Sequence, residues 1–297
     1  MNLKFQVSSF KFWLLAARPK TLVAAIVPVM VGTALASRYA LIDWPVALHI
    51  LFAAIFIQIG TNLSNDYGDH ARGADTAARV GPVRVTQSGL IKSAHVRIGF
   101  MVAYALAVVI GIPLILRGGW PIFAIGALGI LAGWAYTNGP YPLGYNGLGE
   151  LFVLLFFGII AVAGTSYLLV GEWLRESFWI GLAPGLHASA ILVANNVRDI
   201  ETDRAAGKRT LAATLGRKFG RLEFALFILI PFLIPVMLFF RGYDHRVLLP
   251  FLALPLTIRP LGIVWSKADP VSLIRALVAT AILQLVFGLL FAIGLWQ

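Results

Sequence analysis

The stretch Ile98–Leu116, IGFMVAYALAVVIGIPLIL, carries no charged side chain. A helix of about 20 apolar residues spans the roughly 30 Å hydrocarbon core of a bilayer, so this stretch reads as a transmembrane helix. Outward from it lie similar stretches at Thr21–Ser37, Trp44–Asn65, Gly118–Thr137, Leu151–Gly171, Ser177–Val197, Phe224–Phe240 and Ala276–Gln297. A ninth, Val247–Trp265, is interrupted by Arg259-Pro260. The 297-residue chain is 59% hydrophobic and only 12% charged. A soluble domain carries about 25% charged residues. There is too little polar material here to wrap a soluble core, and too much apolar material for a disordered or collagen-like chain. With no cysteine there is no disulfide framework, thiolate metal site or thiol nucleophile. In lipid the backbone must satisfy its own hydrogen bonds, and barrel strands would appear as short alternating segments. The expected fold is an all-α membrane protein of nine transmembrane helices, forming one domain over residues 1–297.

The net charge of +11 suggests nucleic acid until the cations are placed. With the N-terminus inside, nineteen of the 24 Lys and Arg residues fall in inside segments and five outside. This bias sets the N-terminus and the two long loops, Asp66–Arg97 and Arg198–Arg221, in the cytoplasm and the C-terminus outside. The cations therefore report topology, and a nucleic-acid partner is not expected. The setting is an integral protein of the bacterial inner membrane.

The thirteen acids are the sharper signal. Six of them cluster at two helix ends: Asp66, Asp69 and Asp75, then Asp199, Glu201 and Asp203. Residues at i, i+4 and i+8 share a helix face, which stacks Asn195, Asp199 and Asp203, and likewise Asn65 and Asp69. Asn62 lies one turn further into the membrane. Crowded carboxylates need a positive occupant. Carboxylate and amide oxygens suit Mg²⁺, which is usually completed by water and substrate phosphate. Arg18, Lys20, Arg72, Arg79, Arg84, Lys208 and Arg209 lie in the same segments and suit phosphate oxygens. The residues thus describe a Mg²⁺–diphosphate site at the cytoplasmic membrane boundary.

Asn65-Asp66-x-x-Asp69 and Asp199-x-x-x-Asp203 resemble the two Asp-rich motifs of the UbiA superfamily of intramembrane prenyltransferases. Ala17-Arg-Pro-Lys-Thr21, Asn62-Leu-Ser-Asn-Asp-Tyr-Gly-Asp69, Gly81-Pro-Val-Arg-Val-Thr-Gln-Ser-Gly89, Gly147-Leu-Gly-Glu150 and Asn195-Asn-Val-Arg-Asp199 narrow the resemblance. They are similar to the branch that prenylates 1,4-dihydroxy-2-naphthoate in menaquinone biosynthesis. The resemblance implies a helical bundle around a central cavity. It also implies two Mg²⁺ ions held by Asp66, Asp69, Asp199 and Asp203, with Asn65 and Asn195 as neutral ligands, clamping a polyprenyl diphosphate. The commoner pattern has a third Asp where this chain has Gly73, and the next acid is Asp75. That longer spacing also occurs in the naphthoate branch, and it leaves open whether Asp75 binds metal directly. Asn62 and Glu150 are expected to bind the aromatic acceptor, with Glu150 orienting or deprotonating it. The alternative for Glu150 is an acid favoured by the helix dipole at an N-terminus. Two rival functions remain at this point: another aromatic acceptor such as 4-hydroxybenzoate or homogentisate, or a membrane cation transporter. A transporter's acids would sit near the bilayer midplane rather than at helix ends.

Overall fold

The structure, a computed structural model, describes residues 3–73, 81 and 83–297, with side chains from Phe10 onward. Asp75 and Arg79 fall outside the described residues. Among the described residues every regular element is a helix: α1 (Leu3–Ala17), α2 (Pro19–Ala36), α3 (Trp44–Ala71), α4 (Ser93–Gly118) and α5 (Trp120–Ala135) come first. They are followed by α6 (Gly149–Val170), α7 (Arg175–Arg198), the short α8 (Ile200–Ala205) and α9 (Leu211–Leu215), then α10 (Arg217–Phe240), α11 (His245–Ser266) and α12 (Pro270–Leu295). Eight of the described helices are long and apolar enough to cross a membrane.

The fourth expected span is the exception. Where Gly118–Thr137 reads as one stretch, α5 has 16 residues. At 1.5 Å per residue it is about 24 Å long, short of a typical hydrocarbon core. Two local causes set its ends. Gly119, at φ +69°, supplies the turn after α4, and Trp120-Pro121 starts the new helix with a residue that needs no N–H partner. At the other end the Asn138-Gly-Pro segment cannot continue it. The difference at α3 runs the other way. Its expected end at Asn65 is overrun by six residues to Ala71, so Asn62, Asn65 and Asp69 lie on continuous helix. In α11 the first half, His245–Thr257, winds as a tighter 3₁₀ helix around Pro250 and Pro255. Each proline removes an N–H donor from the ladder.

Three acids outside the two clusters have ordinary explanations. Asp43 caps α3 by accepting the Val46 N–H at 3.3 Å, and Asp244 accepts the Arg246 N–H at 2.9 Å. Asp269 caps α12 through the Ser272 N–H at 2.8 Å, which holds its carboxyl below the usual carboxylate range.

The most enclosed of the spanning helices is α7, surrounded by α2, α6, α10 and α12. Small residues make that possible, as in other lipid-embedded bundles where backbones approach closely. A Cβ built on Gly158 of α6 would lie 2.5 Å from the Gly181 oxygen and 2.5 Å from the Gly185 Cα. The contact falls within a wider π turn over Leu155–Ile159, a feature often found beside functional sites. Gly158→Ala is therefore expected to cost about 1–3 kcal/mol, read as a lower thermal midpoint in detergent. Gly262→Ala, where nothing lies within 4 Å of a built Cβ, should be neutral or stabilising; equal effects at both positions would contradict this packing.

Candidate active site

A polar cavity of about 220 Å³ opens between the ends of α3 and α7. Asn62, Asn65 and Asp69 reach it from α3, and Asn195, Asn196, Asp199 and Asp203 from the α7–α8 junction. The second stripe survives the break between α7 and α8. The Asp199 N–H donates to the Asn195 carbonyl at 3.1 Å and the Asp203 N–H to the Asp199 carbonyl at 2.7 Å. An i→i−4 ladder thus runs through the bend, and the three side chains stay on one face.

Asp69 has three side-chain partners. Arg84 Nη2 contacts one oxygen at 2.7 Å; Lys208 Nζ at 3.1 Å and the Tyr145 hydroxyl at 2.9 Å donate to the other. Lys208 also lies 4.0 Å from Asp203 and 4.5 Å from the centre of the Tyr145 ring. Asp199 is met by the guanidinium of Arg198, with contacts of 2.7 and 2.5 Å. The Arg198 side chain is 1% exposed. Such pairing offsets the cost of burying charge. The cationic lining among the described residues is Arg18, Arg84 and Lys208. Arg18 stands at φ +52° between α1 and α2. The proline that follows disfavours right-handed helical backbone there, and the resulting break turns Arg18 towards the cavity.

The other expected site residues, and Asn62 at the cavity wall, have specific partners of their own. Asp66 is 1% exposed and accepts backbone N–H groups from Val85 and Thr86, both at 3.1 Å. Arg72 donates to the carbonyls of Thr137 and Gly139, which clamps the turn after α5. Lys20 and Arg209 are exposed, and the Arg209 backbone N–H donates to the Tyr145 carbonyl at 2.8 Å. Asn62 gives its amide to the Ala17 carbonyl at 2.9 Å and the Thr21 hydroxyl at 3.0 Å, fastening α3 to the α1–α2 junction. Glu150 is 5% exposed in the first turn of α6 and accepts from Asn196 Nδ2 at 2.7 Å. It stands behind Asn196, which itself lines the cavity. Two site residues that the sequence does not single out are Tyr145, in the turn after α5, and Arg198, a cation enclosed at a helix end. The available clue is an aromatic hydroxyl within a glycine- and proline-rich turn.

No group of three acidic or imidazole side chains among the described residues converges tightly enough to hold a metal by itself. The donor set is nevertheless one of hard oxygens on two facing stripes. That suits Mg²⁺, which uses one or two carboxylates and leaves the rest of its shell to water and phosphate.

A second cavity, about 290 Å³ and almost wholly apolar, adjoins the polar one. Thr61, Tyr136, Val153 and Phe157 line both. Its other walls come from α2, α3, α4, α5 and α6, including Gly111, Gly126 and Gly129.

The sequence pattern of the UbiA prenyltransferase family matches residues 25–279. The chain is 38% identical to a 1,4-dihydroxy-2-naphthoate octaprenyltransferase of Mycobacterium tuberculosis, covering 95% of this chain and 96% of that one. It is 36% identical to the enzyme of the same name from Escherichia coli, covering 98% and 97%. The fold is similar to that of a UbiA homolog from Archaeoglobus fulgidus bound to DMAPP and Mg²⁺, with a TM-score of 0.65, 14% identity and coverage of 95% and 99%. The family match spans both helix ends that build the polar cavity, and the chain belongs to the UbiA prenyltransferase family.

Proposed function

We propose that this protein transfers a polyprenyl group from an allylic polyprenyl diphosphate to 1,4-dihydroxy-2-naphthoate, with loss of CO₂ and diphosphate, giving demethylmenaquinol. The observation that carries the reading is the junction of a carboxylate- and cation-lined cavity with an apolar one. A prenyl diphosphate has the same two halves. The names borne by near-full-length relatives support the choice of acceptor. The acids gathered at one end of the helices argue against the transporter alternative.

Asp69, Asp199 and Asp203, with Asn65 and Asn195, would hold Mg²⁺, with two ions per site. The ions supply charge neutralisation of the leaving diphosphate. The chain's own cations do the rest of that work: Arg18, Arg84 and Lys208 donate to phosphate oxygens, aided by the Tyr145 hydroxyl. The allylic C–O bond breaks with its electron pair going to the diphosphate. The apolar walls around Phe157 exclude water from the carbocation that remains. The ring carbon bearing the carboxylate forms the new C–C bond, and its bond to the carboxylate breaks with the electron pair returning to the ring, so that CO₂ leaves. Asn196, held by Glu150, orients the acceptor from the polar side. Asp75 and Arg79 would join the metal and diphosphate ligands from the adjoining segment. The reading places nine spans in a bacterial inner membrane, α5 being a short one, with the site cytoplasmic and the C-terminus outside.

The test supplies Mg²⁺, a labelled polyprenyl diphosphate and 1,4-dihydroxy-2-naphthoate to membranes containing the protein, with 4-hydroxybenzoate and homogentisate as competing acceptors. The expected product is prenylated naphthoate, reduced about a hundredfold or more in Asp69→Ala and Asp203→Ala. No lipophilic product, preference for another acceptor, or equal product from the variants would each sink the corresponding part of the reading. A second expectation concerns the tail. Gly126 lines the apolar cavity, and nothing lies within 4 Å of a Cβ built on it. Gly126→Phe should lower the use of long donors relative to dimethylallyl diphosphate, while an unchanged preference would place the tail elsewhere.

A further inference from the structure

Asp66 belongs to the first acidic cluster, yet its geometry separates it from the others. It is 1% exposed, and its two oxygens accept from consecutive backbone amides, Val85 and Thr86, each at 3.1 Å. Those amides open a helical turn in which the Ser88 N–H donates to the Arg84 carbonyl at 3.0 Å and the Ile91 N–H to the Val85 carbonyl at 3.1 Å. The first N–H groups of such a turn have no partner within it, and a carboxylate is a strong acceptor for them. Asp66 therefore caps a turn that lies 19 residues further along the chain. Val85 is fully buried beneath the turn, in a cluster with Leu63, Val96 and Phe100. Arg84, immediately before the capped amides, reaches back to Asp69 at 2.7 Å. One helical turn of α3 thus holds both ends of the arrangement: Asp66 fixes the backbone, and Asp69 meets the side chain that this backbone delivers.

We propose that Asp66 is a positioning residue, which latches the 84–91 turn so that the Arg84 guanidinium faces the diphosphate, and is not itself a metal ligand. The inference rests on the diphosphate-binding reading of the polar cavity. A carboxylate committed to two buried amides cannot move to a metal without stranding both donors, and buried unpartnered N–H groups are strongly disfavoured. Asp69 differs, because its partners are two side-chain cations and a hydroxyl that can transfer to phosphate oxygens.

The wild-type protein supplies the first test, by hydrogen exchange of a peptide covering Val85 and Thr86. Saturating Mg²⁺ and inorganic diphosphate should leave these amides as protected as before. Loss of protection would show Asp66 leaving the turn for the metal and would overturn the proposal. The second test follows inorganic diphosphate binding and Mg²⁺ half-saturation in Asp66→Asn, Arg84→Ala and the double variant. Asp66→Asn should weaken diphosphate binding about tenfold and leave the Mg²⁺ requirement within twofold. The double variant should be no worse than Arg84→Ala. A tenfold shift in Mg²⁺ requirement, or an effect that adds fully to that of Arg84→Ala, would make Asp66 a ligand in its own right. Neither measurement needs the prenylation assay, so a wrong acceptor leaves this test intact. If diphosphate binds neither the wild type nor any variant, the reading of the cavity itself falls.

Discussion

A buried carboxylate at the end of a membrane helix needs polar partners, and Asp69 draws them from distant parts of the chain. Its partners Arg84, Tyr145 and Lys208 come from three separate segments, the last of them 139 residues away. Satisfying one carboxylate therefore draws the turn after α3, the turn after α5 and the loop after α8 to a single place. Removing a partner would leave a largely buried charge, a strongly destabilising change. The same ionic cluster that closes the bundle at this end also concentrates oxygens and cations where a diphosphate could exchange with them.

The second organising element is the boundary between polar and apolar space. Thr61, Tyr136, Val153 and Phe157 stand on it, with Val153 and Phe157 supplied by α6. The close glycine contact between α6 and α7 brings the π turn, and Phe157 with it, near the acidic stripe of α7. An amphiphilic substrate needs this kind of junction. Its charged head is recognised by hydrogen bonds and ion pairs, while its tail requires only apolar volume.

Much of this architecture is legible in the sequence. Charge-free stretches located the helices, because lipid allows few other ways to satisfy a backbone. The two acidic stripes emerged from helical periodicity, and the spacing of Asn195, Asp199 and Asp203 held through a bend that periodicity does not anticipate. What stayed hidden was which partner each polar group would find. Asp66 and Asp69 are three residues apart and look alike in sequence, yet one takes backbone amides and the other side-chain cations. Arg72 likewise reads as a phosphate ligand by position, but it is committed to two carbonyls of the turn after α5. Local spacing fixes the side of a helix on which a residue lies; long-range packing decides what meets it there. The shortness of α5 was obscured for a related reason, since apolar residues continue past a helix end set by glycine and proline.

The central claim is that the facing stripes of α3 and α7–α8 form one diphosphate site. Calorimetric titration of inorganic diphosphate into the purified protein, with and without Mg²⁺, tests it most directly. The account predicts that each ligand strengthens the binding of the other, as thermodynamic linkage requires of a shared site. It also predicts that Asp69→Asn on one stripe and Asp203→Asn on the other each abolish that coupling. Diphosphate binding that is indifferent to Mg²⁺, or that survives unchanged in the combined variant, would contradict it.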